Sequence, residues 1–519
     1  MTIFKEILKY NQGRLLNLYN QDTLSSKVGF GDRKYWAWKT IDFPNATFQS
    51  GVNALAVSIS LGIAHDRALY FKIIDQIIRA IPRVSNKNHS LNEAFPNENS
   101  YCVTALVAFD VLFAIDLLKN QLSTEKKEAY FKIIKPLIKY ILHHKEEHAI
   151  ISNHLATGAA ALCLWTDLTG KDEDAYKVVL EVILEHQSTE GWYLEYEGPD
   201  LGYQTLCTHY LSILYKKTKD QRLYKSLQNS LDYLSYFVHP DGTVGGLYGS
   251  RNTEVYYPGG LNSLASKSDL ARHIAVNLNK GIQKGNAVLP QDIDSDNYIP
   301  LLNSYAIAAL YEGEVNLEDD QITPFYKKRI KKNFKKSGIE LFSNGSYFSI
   351  LNYRKGGTLK VFNLTTRKCE FDSGGVFYFK DKNILTSQRH DPSIVKDNQG
   401  SFKVNLYSHQ ERYPSLFQTI IIRMLALTFF KFVFLAELFK KLIVKLLMTN
   451  KLKSKHNTII KVTYNTQYVV IDYNFNNYIE KDKLVLDQKL KAVHMASSGY
   501  FLKAAPLKRN HNIVKITAE

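Results

Sequence analysis

Asn153 and His154 stand side by side before a run of small and apolar residues, in the segment ISNHLATGAAALCLW (150–164). Asparagine is a preferred N-cap, because its side-chain oxygen accepts a hydrogen bond from an unpaired amide in the first helical turn. The alanine-rich run that follows suits a closely packed helix. On this segment alone, capping by Asn153 is the favoured interpretation, and a role at a functional site is the alternative.

A second polar stretch is GWYLEYEGPDLGYQTLCTHYLSILY (191–215). Glu195, Glu197 and Asp200 precede Tyr203, which opens a segment with helical periodicity. Asp200 as a helix cap and Tyr203 as a packing residue are the simplest interpretations. However, a loop that places this many acids and a phenol directly before a helix is typical of a functional site.

A third stretch, GSRNTEVYYPGG (249–260), carries Arg251, Asn252, Glu254 and Tyr257 between glycines. It belongs to a connection that is long for a helical domain, and long ordered loops tend to carry function. Loops of a helical toroid gather at the ends of its helices. We therefore expect all three stretches to line one cleft.

The periodicity of the chain predicts the elements that hold these loops. From about residue 48 to 312, apolar residues recur at three- and four-residue spacing in about ten to twelve segments. Consecutive antiparallel helices predict an α/α toroid or an α-solenoid. After the basic connector KKRIKKNFKKSG (327–338), alternating β-branched and aromatic residues predict strands. The predicted fold is a multidomain α and β protein, with an N-terminal α/α toroid (1–325) and a C-terminal antiparallel β-sandwich (326–519).

The β-rich part contains an apolar segment that predicts an inserted amphipathic helix over about 415–448. Arg423, Lys431 and Glu437 interrupt it, so it does not form the run of about 20 apolar residues that a simple transmembrane helix needs. Packing on the protein is the favoured interpretation, and a helix lying in a membrane interface is the alternative. We predict one continuous helix over most of 415–448 with an incompletely covered apolar face; burial of Phe429, Phe432, Phe434 and Leu438 would leave only the packing interpretation.

Composition limits the classes of partner. The chain has 66 Lys plus Arg against 50 Asp plus Glu, a formal net charge of +16. This charge favours polyanions such as an acidic polysaccharide or an anionic membrane. The basic residues are scattered, without an arginine-rich arm or zinc-finger spacing, so we predict no nucleic-acid partner. The four cysteines (Cys102, Cys163, Cys207 and Cys369) lack metal-ligand spacing, and we expect neither a metal nor a cofactor.

Three motifs together resemble the heparinase II/III-like polysaccharide lyases, including the oligoalginate lyase relatives. They are Asn153-His154 followed about fifty residues later by Tyr203 after YEGPDLG, ENSYCVTAL (98–106), and GSRNTEVYYPGG. The resemblance implies cleavage of a uronate-containing acidic polysaccharide by β-elimination. It implies that Asn153 and His154 hold the uronate carboxylate, with Arg251 as a further contact, and that Tyr203 protonates the leaving oxygen and also removes the C5 proton where both lie on one side of the ring.

The remaining polar and aromatic residues of these motifs are predicted to bind the substrate. They are Glu98, Asn99, Tyr101, Glu197, Asp200, Asn252, Glu254 and Tyr257.

The sequence departs from the family pattern in three ways. The histidine-rich segment of the family's β-domain has no match beyond His390 in SQRHDPS. The N-terminus shows no secretory signal peptide, and the apolar segment 415–448 is extra. These departures predict a cytoplasmic protein, or one peripheral on the cytoplasmic membrane face through 415–448, that processes a bacterial surface polysaccharide.

Three other functions stay open. A uronate C5-epimerase would begin with the same proton abstraction. A non-catalytic glycan-binding or assembly protein would use the cleft as a groove. A helical-repeat scaffold is disfavoured by the β-rich last third of the chain.

Overall fold

The computed structural model describes residues 3–145, 150–318, 323–380, 383–409, 414–443, 453–476 and 479–492. Helices make up the first part of these ranges, and strands with two further helices make up the rest. The helices of the first part are α1 (Ile3–Leu16), α2 (Arg33–Trp36), α3 (Val52–Ser60), α4 (Arg67–Val84), α5 (Tyr101–Leu118), α6 (Thr124–His143), α7 (Ser152–Thr169), α8 (Ala175–Glu185), α9 (Leu201–Thr218), α10 (Gln221–Ser235), α11 (Gly259–Leu264), α12 (Asp269–Gln283) and α13 (Ser295–Leu310). The predicted order of a helical part followed by antiparallel sheets is confirmed.

Alternate helices of the first part form a closed ring. Helices α3, α5, α7, α9, α11 and α13 contact one another in this order, and α13 also contacts α3. Helices α4, α6, α8, α10 and α12 pack against the outside of this ring, as does α1. Because each inner helix is followed by an outer helix that returns, the inner helices point the same way. Their N-terminal ends therefore meet at one end of the ring.

Small and apolar residues explain which helices lie inside. In α7, Gly158 and the alanines that follow it are buried, and this narrow surface lets α5 and α9 approach closely. A Cβ atom on Gly158 would lie 2.2 Å from the Tyr101 hydroxyl oxygen, so only glycine fits there. Helix α5 is long and apolar enough to cross a bilayer, but 83% of it is buried, which is the environment of a core helix. Outer helices such as α4 bury a single face.

Two antiparallel sheets follow the ring. The first has the order β1-β2-β3-β4-β5 and the second β10-β9-β8-β7-β6-β11. The strands are β1 (Ile330–Phe334), β2 (Ile339–Ser343), β3 (Tyr347–Asn352), β4 (Thr358–Asn363), β5 (Cys369–Ser373), β6 (Phe377–Lys380), β7 (Asn383–Thr386), β8 (Ser401–His409), β9 (Lys453–Tyr464), β10 (Val469–Phe475) and β11 (Leu484–Val485).

The first sheet is buried on both faces. Leu351 and Val361 belong to a hydrophobic cluster that they share with residues of the second sheet such as Val404. Phe348 and Ile350, which alternate with Leu351 along β3, join the core of the helical part. Every residue of β3 is consequently buried. The first sheet thus lies between the helices and the second sheet.

The apolar segment between β8 and β9 forms two helices, α14 (Leu416–Leu427) and α15 (Val433–Ile443). The prediction of one continuous helix is therefore wrong. The chain breaks after α14, where Phe430 turns inward to contact Phe95, with ring centroids 5.8 Å apart, and Phe439, at 4.6 Å. Incomplete coverage of the apolar face is confirmed, since Phe434 is 75% exposed. Residues 444–448 of the predicted helix lie outside the described residues.

Candidate active site

A cavity of about 350 Å³ lies at the end of the ring where the inner helices begin. Its wall includes residues from the first turns of α5, α7, α9 and α13. The aligned peptide dipoles of a helix give its N-terminus a partial positive charge, and this charge favours anions. Several helix N-termini converging on one cavity therefore suit a negatively charged ligand.

Asn153 lies in the first turn of α7 but does not cap it. The N-cap is Ile151, which makes no side-chain capping bond, so the capping prediction is wrong. The Asn153 amide nitrogen Nδ2 instead donates to both carboxylate oxygens of Glu195, at 3.0 and 2.9 Å, and the Asn153 backbone N–H donates to Glu195 Oε1 at 3.1 Å. A bridge between Ile151 and Glu195 brings this carboxylate to the helix start. Glu195 thus accepts a first-turn amide of α7, the role that was predicted for the side-chain oxygen of Asn153.

Glu195 is 1% exposed, and this burial raises the pKa of its carboxyl to about 7. The hydrogen bonds from Asn153 and the nearby charge of His154 act in the opposite direction and lower the pKa. The desolvation effect is larger because an ionised carboxylate is costly to bury. The site therefore contains a carboxyl group that changes its charge near neutral pH.

Asp200 fixes the relative position of two other site residues. Its side chain caps α9 by accepting the Tyr203 backbone N–H at 3.1 Å. Its second oxygen accepts the backbone N–H groups of Arg251 at 2.9 Å and of Thr253 at 3.3 Å. Burial raises the pKa of the Asp200 carboxyl although these three bonds oppose the rise. One buried carboxylate therefore joins the start of α9 to the loop that carries Arg251.

Arg251 projects from that loop into the cavity wall, where its guanidinium carbon lies 4.0 Å from the centre of the Tyr196 ring. Beneath the loop, Lys355 from the β3–β4 turn donates to Gly249 O and to Asn252 Oδ1. Burial lowers the pKa of the Lys355 ammonium to about 7, and the positive charge of Arg251 also lowers it, while the charge of Asp200 opposes this change. The first sheet is thereby attached directly to the site.

All four residues predicted to be catalytic, Asn153, His154, Tyr203 and Arg251, line this one cavity. Glu98 and Tyr257, from the predicted substrate-binding set, also line it. Glu98 additionally holds its own turn, because Oε2 accepts the backbone N–H groups of Glu93 and Ala94, both at 2.7 Å. Tyr257 is buried, and burial raises the pKa of its hydroxyl.

The other six predicted substrate-binding residues do not line the cavity: Asn99, Tyr101, Glu197, Asp200, Asn252 and Glu254. The side chains of four of them bind other parts of the protein. Asn99 Nδ2 donates to Phe430 O at 3.0 Å. Asn252 binds Lys355, and Glu254 forms ion pairs with Lys489 and Lys491. Asp200 is the buried cap described above.

The role of Glu195 was not predicted from the sequence, and neither Tyr196 nor Lys355 was among the predicted site residues. The charge of Lys355 alone gave no signal, because the chain contains many lysines and its contact with Asn252 spans about a hundred residues. His390 lies against the loop that precedes α9, since a Cβ atom on Gly198 would be 3.4 Å from its Nε2 atom. Within the described residues, no group of three His, Cys, Asp or Glu side chains is placed to hold a metal ion.

No protein-family model matches the chain, and no curated protein matches its sequence. Solved structures do match by fold. A chondroitin AC lyase of Streptomyces coelicolor A3, in complex with chondroitin sulphate, has a TM-score of 0.50 at 8% identity, over 78% of this chain and 64% of that one. A Paenibacillus xanthan lyase has a TM-score of 0.48 at 9% identity, over 79% of this chain and 42% of that one. A heparinase III has a TM-score of 0.45 at 13% identity, over 70% and 58%.

The chain thus spans less than two thirds of the length of each of these neighbours. The likeness to the chondroitin AC lyase confirms, at the level of the fold, the resemblance to polysaccharide lyases noted in the sequence. On this evidence the chain has the fold of the chondroitin AC lyase, with its helical part followed by antiparallel sheets.

Proposed function

We propose that this protein is a polysaccharide lyase that cleaves a uronate-containing acidic polysaccharide by β-elimination. One observation carries the proposal: Asn153, His154, Tyr203 and Arg251 line a single cavity although they come from three separate stretches of sequence. The shared fold supports it. In this proposal the helical ring is an α/α toroid and the two sheets are a β-sandwich that borders the cleft.

The charges at the cavity support an acidic ligand. His154 and Arg251 are basic, and the helix N-termini add a positive field. Two of the acids in the wall already hold donors, because Glu98 binds backbone amides and Asp296 forms an ion pair with Lys34 at 3.5 Å. Glu195 is largely protonated below pH 7. Glu93 is a further acid in the wall, so the case for an acidic ligand rests on the positions of His154 and Arg251 within the cavity.

In the proposed reaction, the uronate carboxylate binds between His154, Arg251 and the Asn153 amide. The amide nitrogen carries two hydrogens, so one stays on Glu195 while the other reaches the substrate. Neutralising the carboxylate makes the C5 proton more acidic and stabilises the enolate that forms. In this step the deprotonated hydroxyl of Tyr203 acts as the base and accepts the C5 proton. The electron pair forms the C4=C5 double bond, the C4–O bond breaks, and Tyr203 returns the proton to the leaving oxygen.

The test uses a panel of substrates and a substitution that removes a single oxygen atom from the site. The purified chain is mixed with a panel of uronate polysaccharides, and the ultraviolet absorbance of the unsaturated product is followed. Tyr203→Phe keeps the ring and removes the proton-transfer group, so we expect the rate to fall by about 10²–10⁴-fold while the melting temperature stays nearly constant. Tyr215→Phe is the matched control, because Tyr215 lies on the same helix and stacks on Tyr224 away from the cavity.

The same experiment separates the other functions. Deuterium uptake at C5 without ultraviolet absorbance would identify a C5-epimerase that uses the same residues. Saturable glycan binding without either reaction would identify a binding or assembly protein. A Tyr203→Phe variant that retains full lyase activity would refute the proposed mechanism.

A further inference from the structure

The insertion formed by α14 and α15 exposes an apolar surface. Among the described side chains of residues 414–443, eleven large apolar ones are at least 40% exposed, including Phe417, Met424, Phe429, Phe432, Phe434 and Leu438. So many exposed apolar side chains in one short segment mark a site that binds a membrane or another protein. The patch lies outside the cavity and has no part in the proposed reaction.

The opposite side of the insertion is attached to the cavity rim. Phe430 is buried against Phe95, which lines the cavity. Asn97 Nδ2 donates to Ala426 O at 2.9 Å, and Asn99 Nδ2 donates to Phe430 O at 3.0 Å. Through these contacts the insertion has one side directed to the protein and one side directed away from it.

The charges on the exposed side of the insertion indicate which partner covers it. Lys431 and Lys441 are exposed among the apolar residues, whereas the single acid of the described insertion, Glu437, is partly buried. A surface of aromatic and aliphatic groups with cations complements an anionic bilayer, where apolar side chains enter the acyl boundary and lysines meet the head groups. A second copy of this cationic surface would repel the first.

The length of α14 and the charges that follow it indicate the orientation. Helix α14 has 12 residues, which at about 1.5 Å per residue is about 18 Å, well short of the hydrocarbon core of about 30 Å. Lys431 and Glu437 interrupt the apolar run that continues into α15. A position along the bilayer surface therefore suits this segment better than a span across it.

We propose that residues 414–443 bind the surface of an anionic membrane, with α14 and α15 in the interface and the cavity rim held beside it. Because Phe95 joins the insertion to the rim, the cavity opens next to the bilayer, within reach of polysaccharide at the membrane. Membrane binding stands on the exposed residues and charges, and it does not depend on the proposed lyase reaction.

Co-sedimentation of the full-length chain with vesicles tests this. We expect binding to vesicles that contain phosphatidylglycerol, and weaker binding to vesicles of phosphatidylcholine alone. Phe417→Ser combined with Phe434→Ser should weaken partition by at least about tenfold. Lys431→Gln combined with Lys441→Gln should reduce only the preference for phosphatidylglycerol. Tyr10→Ser combined with Val178→Ser, at exposed positions on α1 and α8, is the matched control and should bind like the unchanged protein.

A second measurement reports directly on the insertion. A tryptophan placed by Phe434→Trp should be quenched by brominated lipids in vesicles that contain phosphatidylglycerol, whereas one placed by Val178→Trp should not. Absence of binding, binding that Phe417→Ser with Phe434→Ser leaves unchanged, or a dimer in solution that this variant dissociates would each overturn the proposal. The dimer would show that a second copy covers the surface.

Discussion

Glu195→Gln provides a test of the site that needs no substrate. The carboxyl of Glu195 is 1% exposed, and its pKa rises from 4.5 to about 7 on folding because burial disfavours the charged form. Glutamine has nearly the same shape and keeps one oxygen, which can accept the two Asn153 hydrogen bonds that Oε1 receives, but it loses the acceptor at Oε2 and cannot ionise. The variant therefore isolates the charge.

The sign of the effect follows from proton linkage. Below pH 4.5 the carboxyl is protonated in both the folded and the unfolded chain, so ionisation has no effect on stability. Between pH 4.5 and about 7 the unfolded chain releases a proton that the folded chain keeps, and the free energy of unfolding falls as the pH rises. Above pH 7 the loss is complete, and a pKa difference of this size corresponds to about 3 kcal/mol.

Urea unfolding of both proteins, followed by circular dichroism at several pH values from 4 to about 8, measures this effect. We expect the free energy of unfolding of Glu195→Gln, relative to the unchanged protein, to rise across this range by up to about 3 kcal/mol. The difference at pH 4 serves as the internal reference, because it contains only the change in hydrogen bonding. A difference that stays constant with pH would show that Glu195 ionises in the folded protein as it does in the unfolded chain, and would refute the reasoning.

Three further substitutions test the architecture around the site. Asp200→Ala removes a helix cap and leaves two loop amides without an acceptor, so urea unfolding should show a loss of about 2 kcal/mol or more. Gly158→Ala places a methyl group against the Tyr101 hydroxyl and should lower stability by about 1–3 kcal/mol; adding Tyr101→Phe should restore part of this loss, and no recovery would contradict the predicted clash. Phe430→Ala should increase proteolytic cleavage within 414–443 while the melting temperature of the remaining chain is unchanged, and unchanged cleavage would show that the ring does not hold the insertion.

The order of helices and strands was predictable from the sequence because it depends on local periodicity. The inner helices are recognisable by small residues such as those around Gly158, and the strands by alternation. The division into domains at residues 325 and 326 stays a prediction, although α13 ends at Leu310 and β1 begins at Ile330.

The errors concern contacts between distant residues. Asn153 has the local chemistry of an N-cap, but Glu195, 42 residues later, provides the acceptor instead. The break between α14 and α15 arises from the contact of Phe430 with Phe95, which hydropathy along the segment does not report. Arg251 and Tyr203 line the same cavity wall because Asp200 accepts a hydrogen bond from the backbone N–H of each. From the sequence, only the polar loops that carry these residues could be recognised.

The contact of Lys355 with the loop that carries Arg251 has a consequence for protein synthesis. The helical ring is complete once residue 310 has been made, and domains generally fold in the order of their synthesis. The loop, however, is held by Lys355 and by Asn352, whose Nδ2 donates to Tyr248 O at 2.8 Å, and these residues leave the ribosome later. A nascent chain that ends before residue 352 would thus contain every helix of the ring but lack the side chains that hold this part of the cavity wall. Because Phe348 and Ile350 also belong to the core of the helical part, docking of the first sheet would complete the core and the wall together.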